Sequence, residues 1–458
     1  MNNKALEIPQ YALDLMTILE EHGISSWIVG GYVRDAFIGL PSHDVDIATT
    51  APWQKTEAAC QQNGLKVFQT GTQHGTVSVR IGSEIIEVTT LRKEGTYSDF
   101  RHPDKVVFTD SIEEDLQRRD ITINAIAYHP KAGLVDPLGG LSDLRAGIIR
   151  AVGNPRKRFS EDPLRILRVL RFAATLGFKI EPQTAQAAHD CAPLLHHIAK
   201  ERIHHELIRT FQGDHFAETL SSHATILAQV LQSLTLLSDK TFVVHYADLT
   251  KILPQDFVLR MTTLIHEQSM CEKTTETNSM EAKTSEITES SLSLLSSISQ
   301  ELRLSKKERA CMATLLSFLD VPIENDVAGV QRALSAIHDP QTFRQLLTLK
   351  KAQVSLENDL YEAQHETEPK LNSLLELNQI EQHLEIIIEK NLPYLTSHLD
   401  ISGADLIKIG FNPDQSVRNT LNLLLFAVIS GQIDNNRKNL LNFSKKFKNS
   451  VDDSEEVP

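Results

Sequence analysis

The sequence predicts an α+β fold: a mixed sheet with helices at the N-terminal end, followed by an all-helical remainder. Three observations predict it. Short β-type runs punctuated by glycine are confined to the first 150 residues. From about Phe159 onward the apolar spacing is helical. The chain has 458 residues, more than one core usually fills, so several domains are expected.

The elements follow in order. Residues 11–21 carry helical periodicity and stop near Gly23. Trp27-Ile28-Val29 reads as a strand running into Gly30-Gly31, and residues 33–39 as the helix that follows. Residues 44–47 read as a second strand, and residues 76–80 and 84–91 as a hairpin around Gly82-Ser83. Residues 163–176 form a strong amphipathic helix, and helices continue over 184–211 and 302–440. Residues 271–298 are rich in Ser, Thr and Glu, which predicts a disordered insert. This gives a head over 1–150, a helical neck over 151–212, a body over 213–400 holding the insert, and a tail over 401–458.

Composition narrows the function classes. The net charge of −14 speaks against a protein that coats nucleic acid along its whole length, but leaves room for a local basic cleft. Aromatics are only 6%, so the cores should be aliphatic. Cys60, Cys191, Cys271 and Cys311 are far apart with no CxxC pair, which predicts free thiols in a reducing cytoplasm. No basic-then-apolar leader and no run of about 18 apolar residues is visible, so no membrane span is expected.

The chemistry is concentrated in Gly30-Gly31-Tyr32-Val33-Arg34-Asp35, followed by Asp44-Val45-Asp46. Residues two apart on a strand share a face, about 6–7 Å apart. Asp44 and Asp46 would therefore pair their carboxylates, which is costly unless a cation neutralises them. Magnesium, which takes oxygen ligands and substrate phosphates, suits such a pair. A glycine pair at a strand-to-helix turn lets backbone N–H groups approach a triphosphate, and Arg34 could add a fork to the same phosphates.

These motifs resemble the nucleotidyltransferase head of the class II tRNA CCA-adding and poly(A) polymerase family, within the DNA polymerase β-like superfamily. Further segments are similar in sequence order. Residues 118–125 (RRDITINA) resemble the family's RRDFTxNA, with Ile121 where Phe is usual. Residues 136–144 resemble DPxGGxxDL, and residues 161–172 match EDxLRxxRxxRF. Residues 402–406 and 431–433 are similar to the ending of bacterial members. Residues 91–107 resemble the loop that A-adding members need, departing at His102 where a second Arg is common.

The resemblance implies roles. Asp44 and Asp46 would hold magnesium, and Glu87 falls where the superfamily often keeps a third carboxylate. Gly31 and Arg34 would touch the triphosphate, Arg119 would help bind the nucleotide, and Asp120 and Asn124 would hold the ribose. Asp162 and Arg165, three residues apart on a helix and therefore neighbours, would read the base. Cytosine and adenine both present an amine donor beside an unprotonated ring nitrogen, and a carboxylate next to a guanidinium matches that edge. Arg165, Arg168 and Arg171 form an arginine arc for nucleotide or RNA phosphate, opposite Ile166, Leu167, Leu170 and Ala173. The implied activity is template-free addition of CMP, CMP and AMP to the tRNA 3′ end from CTP and ATP. A homodimer is compatible with this reading. The rivals are a poly(A) polymerase, which more typically ends in a long basic extension, and a non-catalytic RNA-binding relative, which has no use for paired carboxylates.

Overall fold

The computed structural model describes residues 6–42, 44–93, 95, 106–277, 284–364 and 371–452. It divides into two compact units, one of residues 1–247 with 301–303, the other of residues 248–300 with 304–458.

The first unit is built on a seven-stranded sheet. Its strands are β1 (Ser26–Val29), β2 (Asp46–Thr49), β3 (Lys66–Gly71), β4 (Thr76–Ile81), β5 (Glu84–Thr90), Ala127–His129 and Gly133–Val135. Their order is β3-β4-β5-β2-β1, then Ala127–His129, then Gly133–Val135. Only β2 and β5 run parallel; the other neighbours are antiparallel, so the sheet is mixed as expected. Alternation along the strands gives each face its own core. Ile28 and Ile47 join the cluster of Leu15, Leu19 and Val77, while Val29 and Ala48 join Leu91, Leu116 and Ala125. The helix α1 (Gln10–Glu21) supplies Ala12, Leu15, Met16 and Leu19 to the first of these, at the spacing of one helix face.

Eight more helices of this unit bear on the site or its support: α2 (Gly31–Ile38), α3 (Trp53–Gln62), α4 (Ile112–Gln117), α5 (Gly140–Ala146), α6 (Pro155–Glu161), α7 (Leu164–Leu176), α8 (Pro182–Cys191) and α9 (Lys200–Phe211). Helices α7 and α9 pack together, as do α6 and α8. The second unit is helical, with one cluster around Leu315, Leu334, Phe343 and Leu384 and another around Leu399, Leu406, Leu424 and Leu440.

The expectation of disorder over 271–298 needs correction. Residues 278–283 lie outside the described residues, but on either side run the helices Phe257–Thr277 and Thr284–Leu302. The second buries Ile287, Ser291, Leu295, Ile298 and Leu302. Their spacing of four, four, three and four residues makes one continuous stripe, which the Ser/Thr/Glu background hides in the composition. Leu295→Ala should therefore cost about 3 kcal/mol by opening a cavity. Chemical denaturation with circular dichroism checks this, and an unchanged midpoint would restore the disordered insert.

Candidate active site

The strand β2 starts at Asp46, and Asp44 sits on the exposed approach just before it. Parallel pairing of β2 with β5 sets Asp46 directly opposite Glu87, so the sheet itself brings the third expected carboxylate beside the second. Asp46 as a residue is exposed, yet its carboxyl is partly enclosed. That enclosure, with Glu87 and Asp44 nearby and Arg119 only partly offsetting them, pushes its pKa up to about 6. Crowded hard oxygens of this kind fit a divalent cation. Among the described residues, no three His, Cys, Asp or Glu side chains converge as a complete metal cage. A divalent cation held here would need ligands beyond these side chains.

The strand β1 hands the chain to α2 through Gly30, whose φ of 76° is left-handed and favours glycine. A Cβ there would also crowd Arg119 Nη1 at 3.2 Å and sit 3.7 Å from Asp46 Oδ2. The turn thus stays open against the carboxylates. Arg34, one turn into α2, donates from Nε to Asp35 at 2.8 Å and from Nη1 to Asn124 Oδ1 at 2.6 Å. Its guanidinium also lies over the Phe172 ring, 5.1 Å from the centroid.

The adjacent arginines are neutralised by Asp115, a residue that sequence reasoning missed. It is buried on α4 and accepts from Arg118 Nε at 2.8 Å and from Arg119 Nη2 at 3.3 Å. The signal was present: residues three and four apart on a helix are neighbours. Asp120 receives both arms of Arg168, Nε at 2.7 Å and Nη2 at 2.6 Å. Burial works against its charge, but Arg168 outweighs burial and holds the carboxyl well below the usual carboxylate range.

Asp162 and Arg165 do not share one helix as expected. Asp162 is the extended residue between α6 and α7, at φ −141° and ψ 97°. The cause is Pro163, which disfavours helical backbone in the residue before it. Asp162 accepts from Leu164 N at 3.2 Å and lies 3.5 Å from Arg202. Arg165 donates to the carbonyl of Arg118 at 3.2 Å and lies 3.5 Å from Glu161. The arginine arc is also less exposed than an amphipathic helix implies, for Arg165 and Arg171 are buried. The reason for Arg171 is α9, whose buried Glu206 meets Arg171 Nη1 at 2.9 Å. Burial lowers the Arg171 guanidinium to about 10, Glu206 partly opposing.

These elements enclose a cleft of about 540 Å³. Its head side is formed by Gly31, Arg34, Asp46 and Asn124, and its helical side by Arg168, Arg171, Phe172, Thr175, Arg209 and Gln212. Asp44, Glu87, Asp162 and Arg165 stand outside that lining, and Arg209 and Gln212 were not anticipated. The expected loop over 91–107 lies mostly outside the described residues; its ends, Arg92–Lys93 and Val107–Phe108, pair as a short antiparallel ladder.

The mixed sheet thus carries its carboxylates beside a glycine turn. Residues 26–150 match the model of the poly A polymerase head domain, and residues 177–224 match the probable RNA and SrmB-binding site of polymerase A. These two segments make up less than half of the chain, and over them it is similar to that family. It is 43% identical over 249 residues to the CCA-adding enzyme of Ligilactobacillus salivarius, covering 54% of this chain and 59% of that one. It is 44% identical over 211 residues to the CCA-adding enzyme of Geobacillus stearothermophilus, covering 46% of this chain and 51% of that one. The aligned part thus spans a little over half the length of the curated relatives. Among solved structures, it resembles the CCA-adding enzyme of Bacillus stearothermophilus in complex with CTP, with a TM-score of 0.73 and 26% identity over 97% of this chain and 98% of that one. The Thermotoga maritima CCA-adding enzyme complexed with tRNA shares the fold, with a TM-score of 0.55 at 18% identity.

The Asp120–Arg168 pair joins residues of the head and of α7, and its removal is measurable. Because Arg168 is about a third exposed, each of Asp120→Asn and Arg168→Gln should cost about 2 kcal/mol, less than for a fully buried pair. The double variant should lose less than the sum, with a coupling of about 1–2 kcal/mol. Asp120 is depressed in the folded state, so the pair's contribution is present above the ordinary aspartate pKa and is lost as pH falls below it. Urea unfolding of all four proteins at neutral and at acid pH checks both statements; additive losses would show that the two residues act separately.

Proposed function

We propose that this chain builds or repairs the 3′-terminal CCA of tRNA, transferring CMP, CMP and AMP in turn from CTP and ATP and releasing pyrophosphate. The observation that carries the reading is the register of β2 and β5, which sets Asp46 beside Glu87 at the mouth of an arginine-lined cleft. In the reaction the tRNA 3′-hydroxyl oxygen bonds to the α-phosphorus. The bond from that phosphorus to the oxygen bridging the β-phosphate breaks, and pyrophosphate leaves. The hydroxyl proton is released toward the Asp46–Glu87 carboxylates. Asp44 and Asp46 would hold magnesium, which when bound would neutralise charge on the triphosphate and the leaving group.

The remaining residues bind and orient. The Gly31 turn and Arg34 receive the triphosphate, and Asn124 steadies Arg34. Arg119 adds positive charge behind Asp46. Asp120, locked by Arg168, is held ready for the ribose. Asp162 and Arg165 select the base by pairing with its amine and ring nitrogen. Body and tail hold the tRNA by shape and phosphate charge. A cytoplasmic setting and a homodimer complete the proposal. No helix among the described residues is long and apolar enough to cross a membrane.

The deciding experiment gives tRNA lacking CCA each nucleotide separately and in mixtures, then reads the 3′ ends. CTP alone should add two residues, and CTP with ATP should finish CCA. Runs of A from ATP alone would point to poly(A) synthesis. Asp44→Asn or Asp46→Asn should fold normally and lose at least about 1,000-fold in rate, since weaker magnesium binding removes several kcal/mol of transition-state stabilisation. Near-normal incorporation by either purified variant would remove the metal assignment.

Base choice gives a separate test. Asp162→Ala and Arg165→Ala should each lower CTP and ATP use and shrink their advantage over UTP and GTP by about tenfold or more. Single-nucleotide incorporation of all four nucleotides on tRNA ending before each position measures the ratios. An unchanged CTP-to-UTP ratio would move base selection elsewhere.

A further inference from the structure

Three of the four arginines lining the cleft are already matched to carboxylates: Arg34 to Asp35, Arg168 to Asp120 and Arg171 to Glu206. Arg209 is not. It stands exposed on α9, and no hydrogen bond or ion pair holds its guanidinium among the described residues. The same face continues three residues later with exposed Gln212. Arg209 is also close enough to Arg171 for their charges to repel, adding to the lowering of Arg171. A cleft with one surplus cation facing another is prepared for an anion.

Position along α7 says which part of a nucleotide that anion is. Asp162 and Arg165, the proposed base readers, sit at or just before the N-terminal end of α7. The stretch that meets Arg209 in the cleft is Arg171 to Thr175, on its C-terminal half. At 1.5 Å per residue these lie about 9–15 Å further along the axis than Arg165. A nucleotide with its base at one end and its α-phosphate near Asp46 extends its remaining phosphates the other way.

We propose that Arg209, assisted by Gln212, binds the terminal phosphate of the incoming CTP or ATP. This rests on the function proposed above and adds a residue to it. Arg209 forms the far wall of the triphosphate site, and its fork stays free until the substrate arrives. It acts alike on both nucleotides, because it touches nothing that differs between them.

The test compares nucleotides with and without that phosphate, using the full-length protein with magnesium and isothermal titration calorimetry. Arg209→Ala should weaken CTP and ATP about tenfold, as expected for a lost hydrogen bond to a charged group, and leave CDP and ADP unchanged. Arg209→Lys, which keeps the charge and loses the fork, should weaken CTP less than the alanine variant does. Gln212→Ala should weaken CTP in the same direction. Equal weakening of CTP and CDP, or no weakening of either, overturns the assignment. So does a loss of tRNA affinity with a shallower salt dependence at unchanged CTP affinity, which would make Arg209 an RNA phosphate contact. Failure of the wild-type protein to bind CTP at all would instead refute the proposed function.

Discussion

The carboxylate of Asp120 is the point at which the two sides of the site are joined. It follows the arginine pair of the head, yet both of its charged hydrogen bonds come from Arg168 on α7. One oxygen also accepts from the Ile121 amide at 2.9 Å, so the residue is fixed from its own backbone as well. The cleft exists because these two walls keep a set separation, and two donors of one guanidinium converge on a single oxygen of Asp120 to hold it. Arg34 bridges the same gap through its cation–ring contact with Phe172, while its hydrogen bond to Asn124 holds it on the head side.

The charges around the cleft follow one pattern. Each arginine that must hold a fixed direction has a carboxylate behind it: Asp35 for Arg34, Asp115 for Arg118 and Arg119, Glu206 for Arg171. Such backing spends none of the reaction's energy on reorienting donors, which is what preorganised electrostatic sites require. The carboxylates of the sheet face the opposite problem. Asp46 has Glu87 in register with it and Arg119 as its main relief, and burial first, then Glu87, raises its pKa. Carboxylates short of cations and a wall of arginines therefore meet in one cleft.

Much of this was legible in the sequence. The alternating strand runs and the glycine pair placed β1, β2, β5 and α2 within a residue or two, because periodicity and left-handed glycine are local properties. The mixed sheet and the helical remainder followed from the same signals. What escaped was non-local or masked by composition. The register that sets Glu87 beside Asp46 depends on which strands pair and in which direction, and short runs do not encode that. The burial of Arg171 against Glu206 was not legible, because that partner lies 35 positions away on another helix. The helix Thr284–Leu302 was hidden because its apolar stripe is sparse and one of its buried positions is Ser291. Asp162 was read as helical although Pro163 follows it, and there the local rule was available and simply outweighed by the helical pattern downstream.

The order of the sheet has a consequence for how the molecule comes apart. The strand β2 is the fourth of seven, with three strands on either side. Sheets lose protection from their edges inward, and local openings begin where few contacts cross. Fraying of β3 on one side, or of Gly133–Val135 on the other, leaves Asp46 and its neighbour on β5 still laddered. The backbone amides of β2 should then be among the last in this sheet to exchange with solvent. The carboxylates of the cleft are thus carried by a part of the fold that survives partial unfolding of the sheet's edges.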